Sequence, residues 1–123
     1  MGAGWDFELL GLKHYLEHHR GHDRAVATVR RGLGVARDEA WHRLTGPGGW
    51  LDQAAISGEV LLHAPRTQLV MTVPRFNDAI LRVELEPIGN HAIVWLATWG
   101  MAEDTVAGLN REWARTLGPV LQP

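Results

Sequence analysis

The chain has no cysteine, a single tyrosine and two phenylalanines among 123 residues, and no surplus of basic charge. The missing cysteine excludes a disulfide framework, a thiolate zinc site and a cysteine nucleophile, and it fits a reducing compartment. Twelve Lys and Arg against fourteen Asp and Glu leave a formal charge of -2. That balance lacks the positive excess that drives non-specific nucleic-acid binding through phosphate neutralisation. No apolar window of about 18 residues occurs, so a helical membrane span is not expected. The opening MGAGWDFELL carries acidic residues and no basic stretch ahead of an apolar core, unlike a secretory signal. Asp6 stands where a myristoylation motif needs Ser or Thr. The expectation is a cytoplasmic protein with no membrane span.

What is present is ordinary globular composition, 46% hydrophobic and 21% charged, in a length that suits one core. The unusual counts are six Trp and seven His. From Trp5, the residues Leu9, Leu12 and Leu16 follow at spacings of four, three and four, one face of a helix, with Lys13, His14, Glu17 and His18 opposite. Gly21 ends that helix. Ala25 to Val29 is short, β-branched and strand-like, and Gly32 and Gly34 suggest a bulge at its far end. Asp38 and Glu39 then favour the N-terminus of a short helix carrying Ala40, Trp41 and Leu44, stopped by Gly46-Pro-Gly-Gly49.

Four extended segments follow between turn residues: Glu59 to His63, Thr67 to Val73, Ala79 to Glu86, and His91 to Trp99. Their spacing predicts an antiparallel meander. In Ala79 to Glu86 the odd residues Ala79, Leu81, Val83 and Leu85 are apolar and the even ones include Arg82, Glu84 and Glu86, so one buried and one wet face are expected. Ile93 to Thr98 is apolar on both faces and needs cover on both sides. A final period-3.6 stripe of Val106, Leu109, Trp113, Leu117, Val120 and Leu121 predicts a long C-terminal helix, with Asp104 placed to cap it. The fold class is therefore α+β, an antiparallel sheet of about five strands gripping a long C-terminal helix, with an additional N-terminal helix. Residues 1–22 form that helix, packed on the sheet or on a partner subunit, and residues 23–123 form the main domain.

The order of elements, with Ala36-Arg-Asp-Glu-Ala-Trp41-His-Arg-Leu44-Thr45, then Pro47 and Trp50, resembles the opening of the SRPBCC superfamily. These are the START or Bet v 1-like helix-grip proteins, and the branch it is most similar to is that of the heat-shock ATPase activator homologues. Gly58-Glu-Val-Leu, Ala64-Pro65-Arg66, Leu69-Val-Met-Thr72, the run from Ala79 to Pro87, Trp99-Gly100 and Trp113 with Leu117 continue the likeness over residues 25–121. Two departures stand out. The family has a strand hairpin after the early helices, and Asp52 to Ser57 is too short for one, so about five strands replace seven. The segment Gly4 to Leu12 resembles the family's closing helix, with Trp5 aligned to Trp113 and Leu9 to Leu117, yet it stands at the front.

The resemblance implies a cavity between sheet and long helix for a hydrophobic small molecule such as a lipid, sterol or polyketide. Its wall on this chain would be Met71, Val73, Leu81, Val83, Trp95, Trp99, Leu109 and Trp113. The competing expectation is that these side chains meet and fill the core, since interiors are close-packed and two strands are missing. His14 and His18 share a helix face as weak metal candidates, but they lack the acidic residue of a zincin motif and otherwise read as a solvated face. His63 and His91, at strand ends, are weak candidates for a general acid or base, and neither has a partner in sequence. Arg30, Arg31, Arg37 and Arg43 are interrupted by Asp38 and Glu39 and make no nucleic-acid stripe. Arg75 and Asp78 read as a surface ion pair across a tight turn.

The reading is a non-enzymatic START-like domain without cofactor, binding a hydrophobic small molecule or a protein partner and self-associating as a homodimer. The alternatives are a polyketide cyclase or aromatase-like enzyme using His63 or His91, and a co-chaperone-like interaction module.

Overall fold

The computed structural model describes residues 23–123 together with Leu10, Leu12 and Lys13, which are helical. The other residues of the expected N-terminal helix, His14 and His18 among them, lie outside the described residues. Five strands follow, β1 (Arg24–Gly32), β2 (Val60–Ala64), β3 (Gln68–Val73), β4 (Ala79–Leu85) and β5 (His91–Trp99). Three helices accompany them: α1 (Arg37–Thr45), α2 (Trp50–Gln53) and α3 (Glu103–Val120). All strand pairings are antiparallel, in the order β1-β5-β4-β3-β2. Strands β2 to β5 form the expected meander, and β1 returns to the far edge beside β5.

Period-2 alternation sends Ala27, Val29, Met71, Val73, Leu81, Val83, Leu85, Val94 and Leu96 to one face, where they meet the apolar stripe of α3. Val106, Trp113, Leu117 and Leu121 are buried there. Among the described residues nothing replaces the missing hairpin: α2 is one turn, and residues 54–59 lead directly to β2. At Gly58 a Cβ would lie 1.7 Å from the carbonyl oxygen of Thr72. Only glycine allows that approach, and beside it the Thr72 N–H donates to the Glu59 carbonyl at 2.8 Å.

Three details differ from the sequence reading. β1 pairs with β5 in unbroken register from Arg24 through Gly32, so no bulge forms at Gly32, and the register shift falls between Val60 and Leu62 instead. Ala102, not Asp104, is the N-cap of α3 and makes no side-chain cap; Asp104 lies in the first turn, where its charge favours the helix N-terminus. The even face of β4 is also not wet. Ile80 is fully buried, and the side chains of the ion-paired Arg82 and Glu84 keep only 19% and 12% of their exposure. Leu10 packs there against Val70 and Ile80, alongside Leu62 and Trp95.

The C-terminal end of α3 leaves carbonyls without helical partners. Arg43 of α1 supplies donors, from Nη1 to the carbonyls of Gln122 at 2.5 Å and Val120 at 3.3 Å, and the Gly34 N–H reaches Leu121 at 2.7 Å. The early helix thus clamps the end of the long one.

Candidate functional site

Between the centre of the sheet and α3, apolar side chains pack into one cluster. Trp113 projects from the middle of α3 and meets the Trp50 ring edge-on at 5.4 Å and 83°, and the Phe76 ring at 5.9 Å. Such pairs add to the burial of the rings themselves. Met71, Val73, Leu81, Val83 and Trp113 belong to one apolar cluster, with the half-buried Leu109 packed against it. Six of the expected wall residues therefore come together, as a packed core.

Trp95 does not join them. β5 alternates, so Trp95 lies on the opposite face, packed against the Val70 and Ile80 cluster, with the Arg24 guanidinium 5.9 Å from its ring centroid. Trp99 has the same parity as Trp95 along β5 and is buried. The two tryptophans cannot share a wall with Val83 and Trp113, because the sheet stands between them.

A groove of about 310 Å³ opens beside the aromatic cluster, between α2, the β3–β4 turn and α3. Its apolar side is Trp50, Leu109 and Trp113, and its polar rim is Gln53, Arg75, Glu112 and Thr116. The Trp50 Nε1–H donates to Thr116 Oγ1 at 3.0 Å, which ties α2 to α3 and fixes the indole. The Arg75 guanidinium lies 4.3 Å from the Phe76 ring centroid and donates through Nη2 to the Ala54 carbonyl at 2.8 Å. Arg75 is thus drawn to the groove, and these contacts correct its reading as one half of a simple ion pair on the surface.

The turn that carries Arg75 is held from below. Pro74–Phe76 is one turn of 3-10 helix, the Thr98 hydroxyl donates to the Phe76 carbonyl at 2.7 Å, and Asn77 Nδ2 donates to the Trp99 carbonyl. Among the described residues, four non-glycine positions have positive φ, and three of them, Ala55, Asn77 and Asp78, flank the groove segments. Strain of this kind collects where geometry is over-determined. Sequence reasoning missed Gln53, Glu112 and Thr116. The signal for Glu112 and Thr116 was a second stripe on α3, where Leu109, Glu112, Trp113 and Thr116 share one face at i, i+3, i+4 and i+7 spacing.

The two candidate histidines lie elsewhere. His63 is exposed on β2, its ring nearly parallel to that of Trp41 at 6.4 Å. His91 opens β5, with Nδ1 buried and lacking a hydrogen-bond partner, beside the pair formed by Arg30 and Glu86 at 2.5 Å. The hydrogen bond from Arg30 holds the Glu86 carboxyl below its ordinary range, against the opposing effect of burial and with help from the charges of Arg30 and His91. Among the described residues no group of three metal-ligating side chains occurs, and no helix is long and apolar enough to cross a membrane.

A sheet gripping a long C-terminal helix is the helix-grip fold of the SRPBCC, or Bet v 1-like, proteins, and solved structures of that fold match this chain. The solution structure of the Aha1 dimer from Colwellia psychrerythraea aligns with a TM-score of 0.58 at 17% identity, over 80% of this chain and 96% of that one. MLL2253 from Mesorhizobium loti aligns with a TM-score of 0.59 at 16% identity, over 79% and 96%. CalU16 from Micromonospora echinospora aligns with a TM-score of 0.53 at 16% identity, over 80% of each. At such identities the likeness is one of fold. No protein-family model and no curated protein matches the chain.

Proposed function

We propose that this chain is a non-enzymatic helix-grip binding domain that takes a small amphipathic molecule with an aromatic group in the groove at Trp50, Arg75 and Trp113. One observation carries the reading. The interior is closed by the contact of Trp113 with Trp50 and Phe76, while an aromatic-floored groove of about 310 Å³ with a charged rim remains beside it. That volume sits at the lower end of the roughly 300–1,000 Å³ of small-molecule sites. The ring would lie on Trp113 and Leu109, and an acidic group would face Arg75. A cyclase-like reading finds less support, because neither His63 nor His91 lines this groove. Self-association as a homodimer is part of the proposal, prompted by the dimer in the Colwellia structure. A cytoplasmic setting fits the absence of cysteine.

Titration with anilinonaphthalene sulfonate, an aromatic anion, tests the site through ligand fluorescence. Saturable binding weakened about tenfold by Arg75→Ala is expected, the loss of one charge-assisted contact. Binding that is absent, or indifferent to Arg75→Ala, would refute the assignment.

A further inference from the structure

The rim of the Trp50–Trp113 groove carries one charge of each sign, on two different elements. Arg75 comes from the β3–β4 turn and Glu112 from α3, and among the described residues Glu112 makes no ion pair. The Arg75 guanidinium is held on its own side by the Phe76 ring and the Ala54 carbonyl, so the two charges stay apart across the opening. Neither Arg111 nor Arg115, the cations nearest to Glu112 along α3, lines the groove.

The uncharged part of the rim adds acceptors. Gln53 Nε2 donates to the Gly48 carbonyl at 3.1 Å, while its Oε1 makes no hydrogen bond among the described residues. A ligand with a carboxylate alone would meet one cation and be repelled by the Glu112 carboxylate in the same small space. Arg75 and Glu112 balance to zero, and a ligand complementary to them carries both signs in return.

We infer that the occupant of this groove is a small aromatic zwitterion, a ring bearing both a carboxylate and an ammonium group, which rests on the aromatic-acid reading above and adds the amine. A free aromatic amino acid is the simplest molecule of this class. Arg75 receives the carboxylate, and the Glu112 carboxylate and Gln53 Oε1 accept from the ammonium, which has donors enough for both. The volume of about 310 Å³ suits a compact molecule of this kind. Arg75 and Glu112 are both exposed, so each adds modestly to affinity, and their placement on opposite walls supplies the selectivity.

The test uses the full chain and three probes of one ring system, titrated by calorimetry at low ionic strength. L-tryptophan carries both charges, indole-3-propionate lacks only the amine, and tryptamine lacks only the carboxylate. Saturable binding of L-tryptophan is expected, about fivefold tighter than either of the others. Glu112→Gln keeps the shape of an exposed side chain and should bring L-tryptophan and indole-3-propionate to within about twofold of each other. Glu112→Lys should place indole-3-propionate ahead. If indole-3-propionate binds the parent chain as tightly as L-tryptophan, the amine has no site and the inference is overturned, while the aromatic-acid reading stands. A preference for L-tryptophan that survives both Glu112 variants would also overturn it, because the ammonium would then be held elsewhere. Binding of none of the three probes would overturn the inference and the reading beneath it together.

Discussion

The two faces of the sheet are cut from the same strands and are buried by different means. Toward α3 every central position is aliphatic, from Ala27 and Val29 across Val94, Val83 and Met71, and the opposing stripe of α3 is aliphatic and aromatic in turn. Toward Leu10 the face mixes Val70, Ile80 and Trp95 with the ion-paired Arg82 and Glu84, and with Gln68, only 2% exposed and with an Oε1 that lacks a hydrogen-bond partner. The first face is held by shape and area alone. The second holds polar groups in a covered place, where each must find a partner or raise the cost of folding. A helix-gripping face can therefore be written in simple alternation, whereas a covered back face carries a mixed code that looks exposed on paper.

The contrast can be broken most severely by removing residues 1–22, which takes Leu10 off Val70 and Ile80. Large apolar side chains contribute about 1.5–3 kcal/mol each when fully buried. The loss over this cluster should exceed that of any single substitution and show as aggregation or a collapsed urea midpoint. A stable, monodisperse monomer after deletion would mean that the back face needs no cover. On the other face, Trp113→Ala should cost about 3–5 kcal/mol, measured by urea unfolding, because it empties the contact with both Trp50 and Phe76. A loss below about 1 kcal/mol would mean that the interior is not packed as described.

Smaller effects sharpen the polar half of the comparison. Glu84→Gln takes the charge opposite Arg82 from a site where both side chains are largely covered, and about 1–3 kcal/mol of destabilisation is expected. A truly wet face would give a few tenths, the range of exposed ion pairs. The smallest effect belongs to Glu86 at the hairpin end. Its folded pKa lies below the unfolded value of about 4.3. The contribution is complete above that value and disappears as pH falls through the folded pKa. Glu86→Gln should flatten the acid limb of the unfolding midpoint below about pH 4 and leave the neutral limb nearly parallel to the parent. An unchanged acid limb would assign that pH dependence to other carboxylates.

Much of the architecture was legible because it rests on local rules. The meander is announced by turn residues after His63, Val73 and Glu86, and β5 runs from His91 to Trp99 as read. The odd face of β4 and the stripe of α3 meet as their periods demand. Less of the candidate site was legible. Leu109 and Trp113 were assigned to a cavity wall, whereas the groove also uses Arg75, Gln53, Glu112 and Thr116. Glu112 and Thr116 share a stripe of α3 with Leu109 and Trp113, but Gln53 and Arg75 come from elements far away in the chain, and no spacing rule joins them to it. Trp95 was misplaced for a related reason, since a strand apolar on both faces does not say which face looks toward the helix.

The amino-acid order by itself determined the five strands, the short helix at Trp41, the long C-terminal helix and the faces of β4 and α3 that meet, because periods of 2 and 3.6 and the dihedral limits of Gly and Pro act within a few residues. Tertiary structure alone decided that Trp113 closes the interior against Trp50 and Phe76, that Arg82 and Glu84 are covered, and that Trp95 faces away from α3. Those outcomes depend on distances between residues that only packing brings together, where one side chain filling or leaving a gap decides between a core and a site.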